Sequence, residues 1–155
     1  MRLPRVRAVL PRIPGLRRSR ARAARTDLNP SVSYAPVADG TADPGEVVWA
    51  WVPFQEDPSQ GKDRPVLVLG RRDDELLTLA LTSKDHDRDA AQEASVGRHW
   101  MDVGTGAWDR RRRPSEVRLD RLITLREPDV RREGAALDRA VFDQVVAAAR
   151  AFHPI

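Results

Sequence analysis

The sequence predicts a mostly β domain, a small barrel with one helix packed against it. Short runs rich in β-branched and aromatic residues recur between residues 46 and 125. Polar segments with glycine, proline and aspartate separate these runs. A single amphipathic stretch follows near the C-terminus. Several short strands followed by one helix are typical of a small barrel whose helix covers part of the sheet.

The first predicted strand is Glu46–Val52, where valine and tryptophan dominate. A loop over 53–63 contains Pro58 and Gly61 and leads to the short apolar run Pro65–Leu69, which suits a buried strand. A polar turn over residues 71–75 and the strand Leu76–Thr82 then complete a predicted hairpin.

Residues 83–95 are polar and predict a loop, and Arg98–Val103 predicts a further strand. Glu116–Leu125 alternates well enough to predict one continuous strand. The alternation assigns its side chains to two faces: Val117, Leu119, Arg121 and Ile123 on one, and Glu116, Arg118, Asp120, Leu122 and Thr124 on the other. Arg118 and Asp120 should therefore lie side by side.

The stretch Leu137–Phe152 predicts the terminal helix. Asp138 lies near its start, Arg150 near its end, and Pro154 stops it. One apolar stripe should pack on the sheet: Leu137, Val141, Phe142, Val145, Val146, Ala149 and Phe152.

Composition excludes several classes of site. The 155 residues contain no cysteine, which rules out disulfides, thiolate metal sites and a cysteine nucleophile. The three histidines are scattered without metal-ligand spacing, so we expect no metal and no cofactor. No run approaches the roughly 18 apolar residues of a membrane span, and we expect a cytoplasmic protein with no membrane partner.

Basic charge is concentrated at the N-terminus. Residues 1–45 hold nine arginines and three acidic residues, whereas residues 46–155 hold 18 basic and 20 acidic residues. Prolines interrupt any helix in residues 1–44, so this segment predicts a disordered extension and residues 45–152 the folded domain. Three interpretations of the extension stay open: a nonspecific nucleic-acid arm, a transit or secretion signal, and a passive extension or an over-called start codon.

Four short motifs occur in an order that resembles the PemK/MazF family of toxins. Gly45-Glu-Val-Val-Trp49 resembles the opening strand of that family, and Gln60-Gly-Lys-Asp-Arg-Pro-Val-Leu-Val-Leu69 resembles its "G-x-RP-x-L-V" motif. Ala80-Leu-Thr-Ser83 resembles the end of its third strand. Glu116–Leu125 resembles the strand that carries an acid before an "I-x-T-I"-like ending. With the terminal helix, the resemblance covers roughly residues 45–150.

The resemblance implies an SH3-like barrel that forms a homodimer and acts as the toxin of a type II toxin–antitoxin pair. It further implies metal-independent cleavage of single-stranded RNA, and a cognate antitoxin that blocks the groove. Operator DNA bound together with the antitoxin is a further expected partner.

Metal-free RNA cleavage uses the 2′-hydroxyl as nucleophile and needs a base, an acid and cations for the phosphorane charge. Arg64 matches the arginine of the family's "RP" motif, and a planar guanidinium suits a phosphate. Thr82 matches the family's threonine, and Ser83 follows it. From position alone, Arg64 is equally a salt-bridge partner, and the two hydroxyls are local caps.

Arg118 and Asp120 match an arginine–acid pair that serves as acid and base in part of the family. The resemblance therefore implies that Arg64, Thr82, Arg118 and Asp120 are catalytic. The alternative for Arg118 and Asp120 is an exposed ion pair that stabilises little. Because an arginine pKa exceeds about 12, charge stabilisation is the expected role of Arg118.

Further candidates are predicted to bind substrate. Gln60 fits the glutamine of the family's loop, but Pro58 and Ser59 stand where a histidine or glutamate is usual, and His86 is the candidate to fill that gap. Arg110 and Arg111 follow Trp108 in a run of four arginines, which could grip an RNA backbone or form a solvated loop. Core or dimer contacts are expected of the remaining tryptophans: Trp49, Trp51 and Trp100.

Two rival functions stay open. The same barrel could be a non-catalytic module that binds nucleic acid or protein, which the missing loop acid favours. A toxin of this fold could instead poison a protein such as gyrase, but His153-Pro-Ile155 gives that alternative no support.

Overall fold

A computed structural model of the chain describes residues 31–37, 42–85 and 89–155. Within these ranges eight strands form one sheet through antiparallel pairs, and two α-helices accompany it. The strands are β1 (Ser31–Val32), β2 (Glu46–Pro53), β3 (Gly61–Arg72), β4 (Glu75–Thr82), β5 (Trp100–Gly104), β6 (Ser115–Arg118), β7 (Ile123–Arg126) and β8 (Val130–Ala136). The helices are α1 (Ala90–Ser95) and α2 (Arg139–Ala149).

The centre of the sheet is the predicted hairpin. β3 pairs with β4 from Val66↔Ala80 to Arg72↔Glu75, and the turn between them places Asp73 at φ 59°. Aspartate tolerates this left-handed conformation better than most residues, which explains the polar turn between two apolar strands. β2 pairs with the other side of β3 and brings Ala50 opposite Arg64.

Both faces of the sheet are buried. On one face, Leu67, Leu79 and Val117 pack against Phe142 and Val145 of α2. On the other face, alternate residues of the same strands form a second cluster with the apolar side chains of β7: Val48, Ala50, Val52, Val66, Val68, Leu76, Ile123 and Leu125. Each large apolar side chain buried in this way stabilises the fold by roughly 1.5–3 kcal/mol. The stripe predicted for α2 is confirmed except at Phe152, which is exposed.

The prediction of one continuous strand over Glu116–Leu125 is wrong. β6 ends at Arg118 and pairs with the end of β4 and with β5, whereas β7 begins at Ile123 and pairs with the start of β4. The chain bends over the intervening four residues, because the two strands follow different parts of β4. The two-face assignment holds as far as Asp120 and fails at Arg121, which lines the same cavity as Arg118 instead of the opposite face.

Besides β1, the elements α1 and β8 were not predicted. The six residues of α1 fall in the predicted loop 83–95. None of them is buried, so no helical period of apolar residues marks the helix in the sequence. β8 pairs with β2 although its sequence, Val-Arg-Arg-Glu-Gly-Ala-Ala, is polar. Gly134 allows β8 to approach β2 closely, since a Cβ at this position would overlap the Val47 carbonyl.

Part of the predicted N-terminal extension is described, and that part contacts the domain. β1 pairs with Gly70 and Arg71 of β3. The Tyr34 hydroxyl donates to the Leu137 carbonyl oxygen at 2.7 Å, and its ring lies 5.2 Å from that of Phe142. Residues 1–30 and 38–41, the rest of that extension before Ala42, lie outside the described residues.

The mostly β fold with a C-terminal helix is confirmed, whereas closure into an SH3-like barrel is not. The strand order is β5–β6–β4–β3–β2–β8, with β1 beside β3 and β7 beside β4. Among the strands of the described ranges, no ladder joins β5 to β8, so the sheet remains open. None of the helices in those ranges has the length and hydropathy needed to cross a membrane.

Candidate functional site

A cavity of about 660 Å³ lies where the loop after β2 meets the start of β3 and the ends of β4 and β6. We call it the arginine cavity because basic side chains dominate its lining: Lys62, Arg64, Lys84, Arg98, Arg118 and Arg121. Only Glu56 and Glu93 supply negative charge among the described residues that line it. Such an excess of positive charge from separate elements favours an anionic ligand.

Arg64 is partly buried in this cavity, at the position of β3 opposite Ala50. Within the described ranges its guanidinium has no hydrogen-bond or ion-pair partner. Burial lowers the pKa of Arg64; Glu56 opposes this effect, and the neighbouring charge of Arg118 adds to it. A guanidinium with unused donors in a concave site is arranged to bind a planar or tetrahedral oxyanion.

Arg118 and Asp120 form the predicted pair, and both side chains are largely buried. Arg118 Nη2 donates to Asp120 Oδ2 at 2.8 Å, and Nε donates to the two carboxylate oxygens at 3.2 and 3.1 Å. The backbone N–H of His99 donates to Asp120 Oδ1 at 2.7 Å. The carboxylate therefore fixes the orientation of Arg118 from behind the cavity.

The pKa of Asp120 is lowered. Burial alone would raise it, but the hydrogen bonds from Arg118 and from the His99 N–H outweigh that effect. A carboxylate whose charged form is this well satisfied is a weak proton acceptor. Of the two roles predicted for Asp120, base or orienter, the geometry favours orienter.

Arg121 is a cavity residue that the sequence pattern assigned to the opposite face from Arg118. The bend after β6 turns it toward the same cavity, where its Nη2 donates to the Pro53 carbonyl oxygen at 2.8 Å. Burial lowers the pKa of Arg121, and the charges of Arg118 and Arg64 lower it further. The charge of Arg118 thus acts on both Arg64 and Arg121, which line the same cavity.

Arg98 lines the cavity and is held there by α1, a helix that the sequence did not predict. Glu93 of α1 accepts from Arg98 Nε and Nη2 at 3.0 Å each, and from Trp100 Nε1 at 3.0 Å. The hydrogen bond to Glu93 raises the pKa of Arg98. The glutamate thus orients one wall of the cavity, and no sequence motif marked these residues.

The predicted hydroxyls lie at the same site. Thr82, the last residue of β4, and Ser83 after it both line the cavity. Thr82 Oγ1 accepts a hydrogen bond from the Lys84 N–H at 3.2 Å. Gln60 is exposed and does not line the cavity; its backbone closes the loop after β2 by bonding Phe54 and Asp57. His86 lies outside the described residues.

Arg110 and Arg111 lie elsewhere. They line a second cavity of about 580 Å³, here called the tryptophan cavity: Trp49, Ala107, Trp108, Asp109, Arg110, Arg111 and Arg113. Trp49 Nε1 donates to the Trp108 carbonyl oxygen at 2.8 Å, and Arg113 Nε donates to Asp109 Oδ2 at 2.8 Å. The arginine run and the Arg64 site are therefore separate surfaces.

The part of the chain that the structure describes contains no group of three histidine, aspartate or glutamate side chains placed to hold a metal ion. The lining of the arginine cavity presents guanidinium, ammonium, hydroxyl and carboxylate groups to a ligand.

Comparison with known proteins adds a family and a fold. The family model described as PemK-like, MazF-like toxin of type II toxin-antitoxin system matches residues 43–153. A crystal structure of MazE-MazF (Form-II) from Deinococcus radiodurans is similar, with a TM-score of 0.50 and 19% identity over 73% of this chain and 96% of that chain. A second crystal structure of MazE-MazF from that organism (Form-III) has a TM-score of 0.49 and 19% identity over 72% and 94% of the two chains. No curated protein sequence matches the chain.

Proposed function

Since the chain belongs to the family of PemK-like, MazF-like toxins of type II toxin–antitoxin systems, we propose that it is an endoribonuclease. Its substrate is single-stranded RNA, including mRNA, which it cuts without a ribosome and without a metal ion. The 2′-hydroxyl attacks the adjacent phosphorus and the 5′-oxygen leaves, so the products carry 2′,3′-cyclic phosphate and 5′-hydroxyl ends.

One observation supports this proposal above the others: the partly buried guanidinium of Arg64 has no partner in the described structure and lines the same cavity as Arg118 and Arg121. The charge of Arg118 lowers the pKa of both Arg64 and Arg121, and guanidinium groups crowded in this way gain most from an anion placed between them. A phosphodiester supplies that charge, and the phosphorane of the transition state carries more of it.

The roles follow from the contacts. Arg64 and Arg118 bind and neutralise the scissile phosphate, and Arg121 adds to the field. Thr82 donates its hydroxyl hydrogen to a phosphate oxygen, because its oxygen already accepts from the Lys84 N–H. Asp120 keeps Arg118 in place. Ser83 is a further donor to the bound strand.

The remaining predicted binding residues lie outside this centre. Arg110 and Arg111 would contact the RNA backbone beyond the scissile phosphate, on the surface of the tryptophan cavity. Gln60 and His86 keep their predicted role in substrate binding as part of this proposal. DNA is bound by the same charges and is not cut, because it lacks the 2′-hydroxyl.

Partners follow from the family. A cognate antitoxin would neutralise the basic cavity with acidic side chains, and the toxin would act as a cytoplasmic homodimer. A solved structure similar to this chain is a MazE-MazF structure from Deinococcus radiodurans, which supports an antitoxin partner for this chain. The toxin–antitoxin complex would bind operator DNA.

A non-catalytic RNA-binding or protein-binding module of the same fold is the alternative. The low pKa of Asp120 favours it, because the acid predicted as base is already fully hydrogen-bonded. Under that alternative the cavity would bind an anion and leave it unchanged.

The decisive experiment incubates the protein with 5′-labelled single-stranded RNA in EDTA. The expected result is cleavage at short sites with 2′,3′-cyclic phosphate ends, read by their sensitivity to a cyclic phosphodiesterase. The same RNA with a single 2′-deoxynucleotide at the cut site should bind and resist cleavage. Intact RNA throughout, with binding retained, would replace the nuclease by the binding module.

A further inference from the structure

The loop over residues 54–60 is held against the arginine cavity by the arginines themselves. Arg118 Nη2 donates to Gln55 Oε1 at 2.8 Å, and Arg121 Nη2 donates to the Pro53 carbonyl oxygen at 2.8 Å. The Phe54 N–H donates to the Gln60 carbonyl oxygen at 2.8 Å and closes the loop. Glu56, which follows Gln55, is thereby placed in the lining of the cavity.

Three acids belong to this region, and only one of them keeps its oxygens available within the described structure. Asp120 accepts from Arg118 and from the His99 N–H, and Glu93 accepts from Arg98 and Trp100. Glu56 is exposed to solvent and forms neither a hydrogen bond nor an ion pair with any described residue.

The charge of Glu56 nevertheless interacts with the guanidinium groups of the cavity. It acts on Arg64, Arg98 and Arg121, in each case raising the arginine pKa. Glu56 and Arg64 line the same cavity, and the Glu56 carboxylate is not bonded to any of these cations. A proton acceptor beside an anion-binding site needs this combination.

We propose that Glu56 is the general base of the RNA cleavage reaction, with Asp120 restricted to positioning Arg118. This inference rests on the proposed nuclease function and assigns its missing base. Glu56 takes the proton of the 2′-hydroxyl while the 2′-oxygen forms its bond to phosphorus. The bond from phosphorus to the 5′-oxygen breaks, its electron pair leaves with that oxygen, and solvent water supplies the proton that the oxygen gains. Glu56 then returns its proton to solvent.

The test compares Glu56→Gln with Asp63→Asn, a matched loss of one exposed acid on the neighbouring strand that lies outside the cavity lining. Glu56→Gln should lower the single-turnover cleavage rate about 100- to 1,000-fold, the usual contribution of a general base. Asp63→Asn should stay within about threefold of the wild type. RNA with a 2′-deoxynucleotide at the cut site should bind Glu56→Gln at least as tightly as wild type, because a negative charge is removed.

A substrate with sulfur in place of the 5′-bridging oxygen distinguishes the loss of a general base from the loss of a general acid. A thiolate leaves without a proton, so a lost acid is rescued by this substrate and a lost base is not. The rate deficit of Glu56→Gln should therefore persist with the sulfur substrate. Thermal melting should match wild type, since the Glu56 side chain makes no hydrogen bond to any described residue.

Different failures have different meanings. If wild-type protein cleaves and Glu56→Gln cleaves within threefold of it, Glu56 is not the base and the nuclease function stands. A deficit that disappears with the sulfur substrate, or one explained by lost RNA binding, also overturns the base assignment. If wild-type protein leaves RNA intact, both proposals fall.

Discussion

The two basic cavities of the molecule are built in opposite ways. The arginine cavity collects its cations from five separate places: β3, the segment after β4, the segment before β5, the end of β6 and the bend before β7. The tryptophan cavity takes its cations from one continuous loop. In the first, Arg64 is partly buried and unpaired in the described structure; in the second, Arg110 and Arg111 are exposed.

This difference separates a site from a charged surface. Adjacent residues in a loop diverge: Arg112 has φ 54°, and Arg113 is bound to the buried Asp109, whose pKa is lowered chiefly by that hydrogen bond. Residues from different strands converge because the sheet brings them together. Convergent, partly desolvated cations interact more strongly with a phosphate than solvated ones. We therefore expect chemistry at the arginine cavity and only affinity at the tryptophan cavity.

The largest expected effect is that of Arg64→Ala. It removes the guanidinium that has no partner among the described residues and supports the proposed site. It should lower the cleavage rate about 100- to 1,000-fold, as loss of one transition-state donor does. Single-turnover cleavage of labelled RNA measures this rate, and loss of growth arrest reports it in cells.

Arg72→Ala is the matched control for Arg64→Ala. It removes the same side chain from the same strand, where Arg72 lies 3.9 Å from Glu75 in an exposed pair. That variant should cleave within about threefold of wild type. Equal cleavage rates for the two variants would contradict this prediction, since an arginine of the cavity would then contribute no more to cleavage than an exposed arginine.

A smaller effect is expected of Asp120→Asn, which tests whether orientation of Arg118 is what the acid supplies. The cleavage rate should fall about 10- to 100-fold, because a misplaced cation stabilises the phosphorane less well. Loss of the charge-assisted hydrogen bonds should also lower the free energy of unfolding by about 1.5–3 kcal/mol. A loss as large as that of Arg64→Ala, with wild-type stability, would instead make Asp120 the base.

The stability difference between wild type and Asp120→Asn should depend on pH. The folded-state pKa of Asp120 is lowered, so its contribution is fully present above the ordinary aspartate value of 3.8 and is lost as pH falls through the folded value below it. The gap in Tm between the two proteins should therefore be largest near neutral pH and shrink below about pH 4. Melting curves at a series of pH values measure it, and a constant gap would contradict the lowered pKa.

Most of the fold could be predicted from the sequence because the strands are rich in valine and leucine. β2, β3 and β4 alternate two buried faces, and their valines and leucines predict strands by type alone. β8 escaped prediction because its stability comes from pairing with β2 and from the close approach at Gly134, neither of which a local pattern records. Likewise α1 has no buried residue, so no apolar period marks it.

The lining of the arginine cavity was predictable where a motif identified a residue and unpredictable where tertiary contacts placed it. Arg64, Thr82, Arg118 and Asp120 were named from family motifs, and the structure places the first three in one cavity lining with Asp120 bonded to Arg118. Arg121 was missed because strand alternation was extended across a bend. Glu56 was missed because the arginines that bond its neighbours Gln55 and Pro53 lie far along the chain. Conversely, the conspicuous run Arg110–Arg113 attracted attention by its composition and lies outside the arginine cavity.

The smallest expected effect is that of the double variant Arg110→Ala/Arg111→Ala. Each exposed guanidinium contributes to RNA affinity through counterion release, so binding should weaken about three- to tenfold near physiological salt, and the slope of log K against log salt should flatten by about 1.4. The cleavage rate at saturating RNA should stay at the wild-type value, because neither side chain lines the arginine cavity.

Arg126→Ala/Arg131→Ala is the control of equal charge: both residues form exposed ion pairs, with Asp74 and Asp63, and lie in neither lining. A flattened slope specific to the first pair would identify the tryptophan cavity as part of the RNA path, whereas a fall in the saturated cleavage rate would show that the loop takes part in the chemistry and that the two cavities are not separate in function.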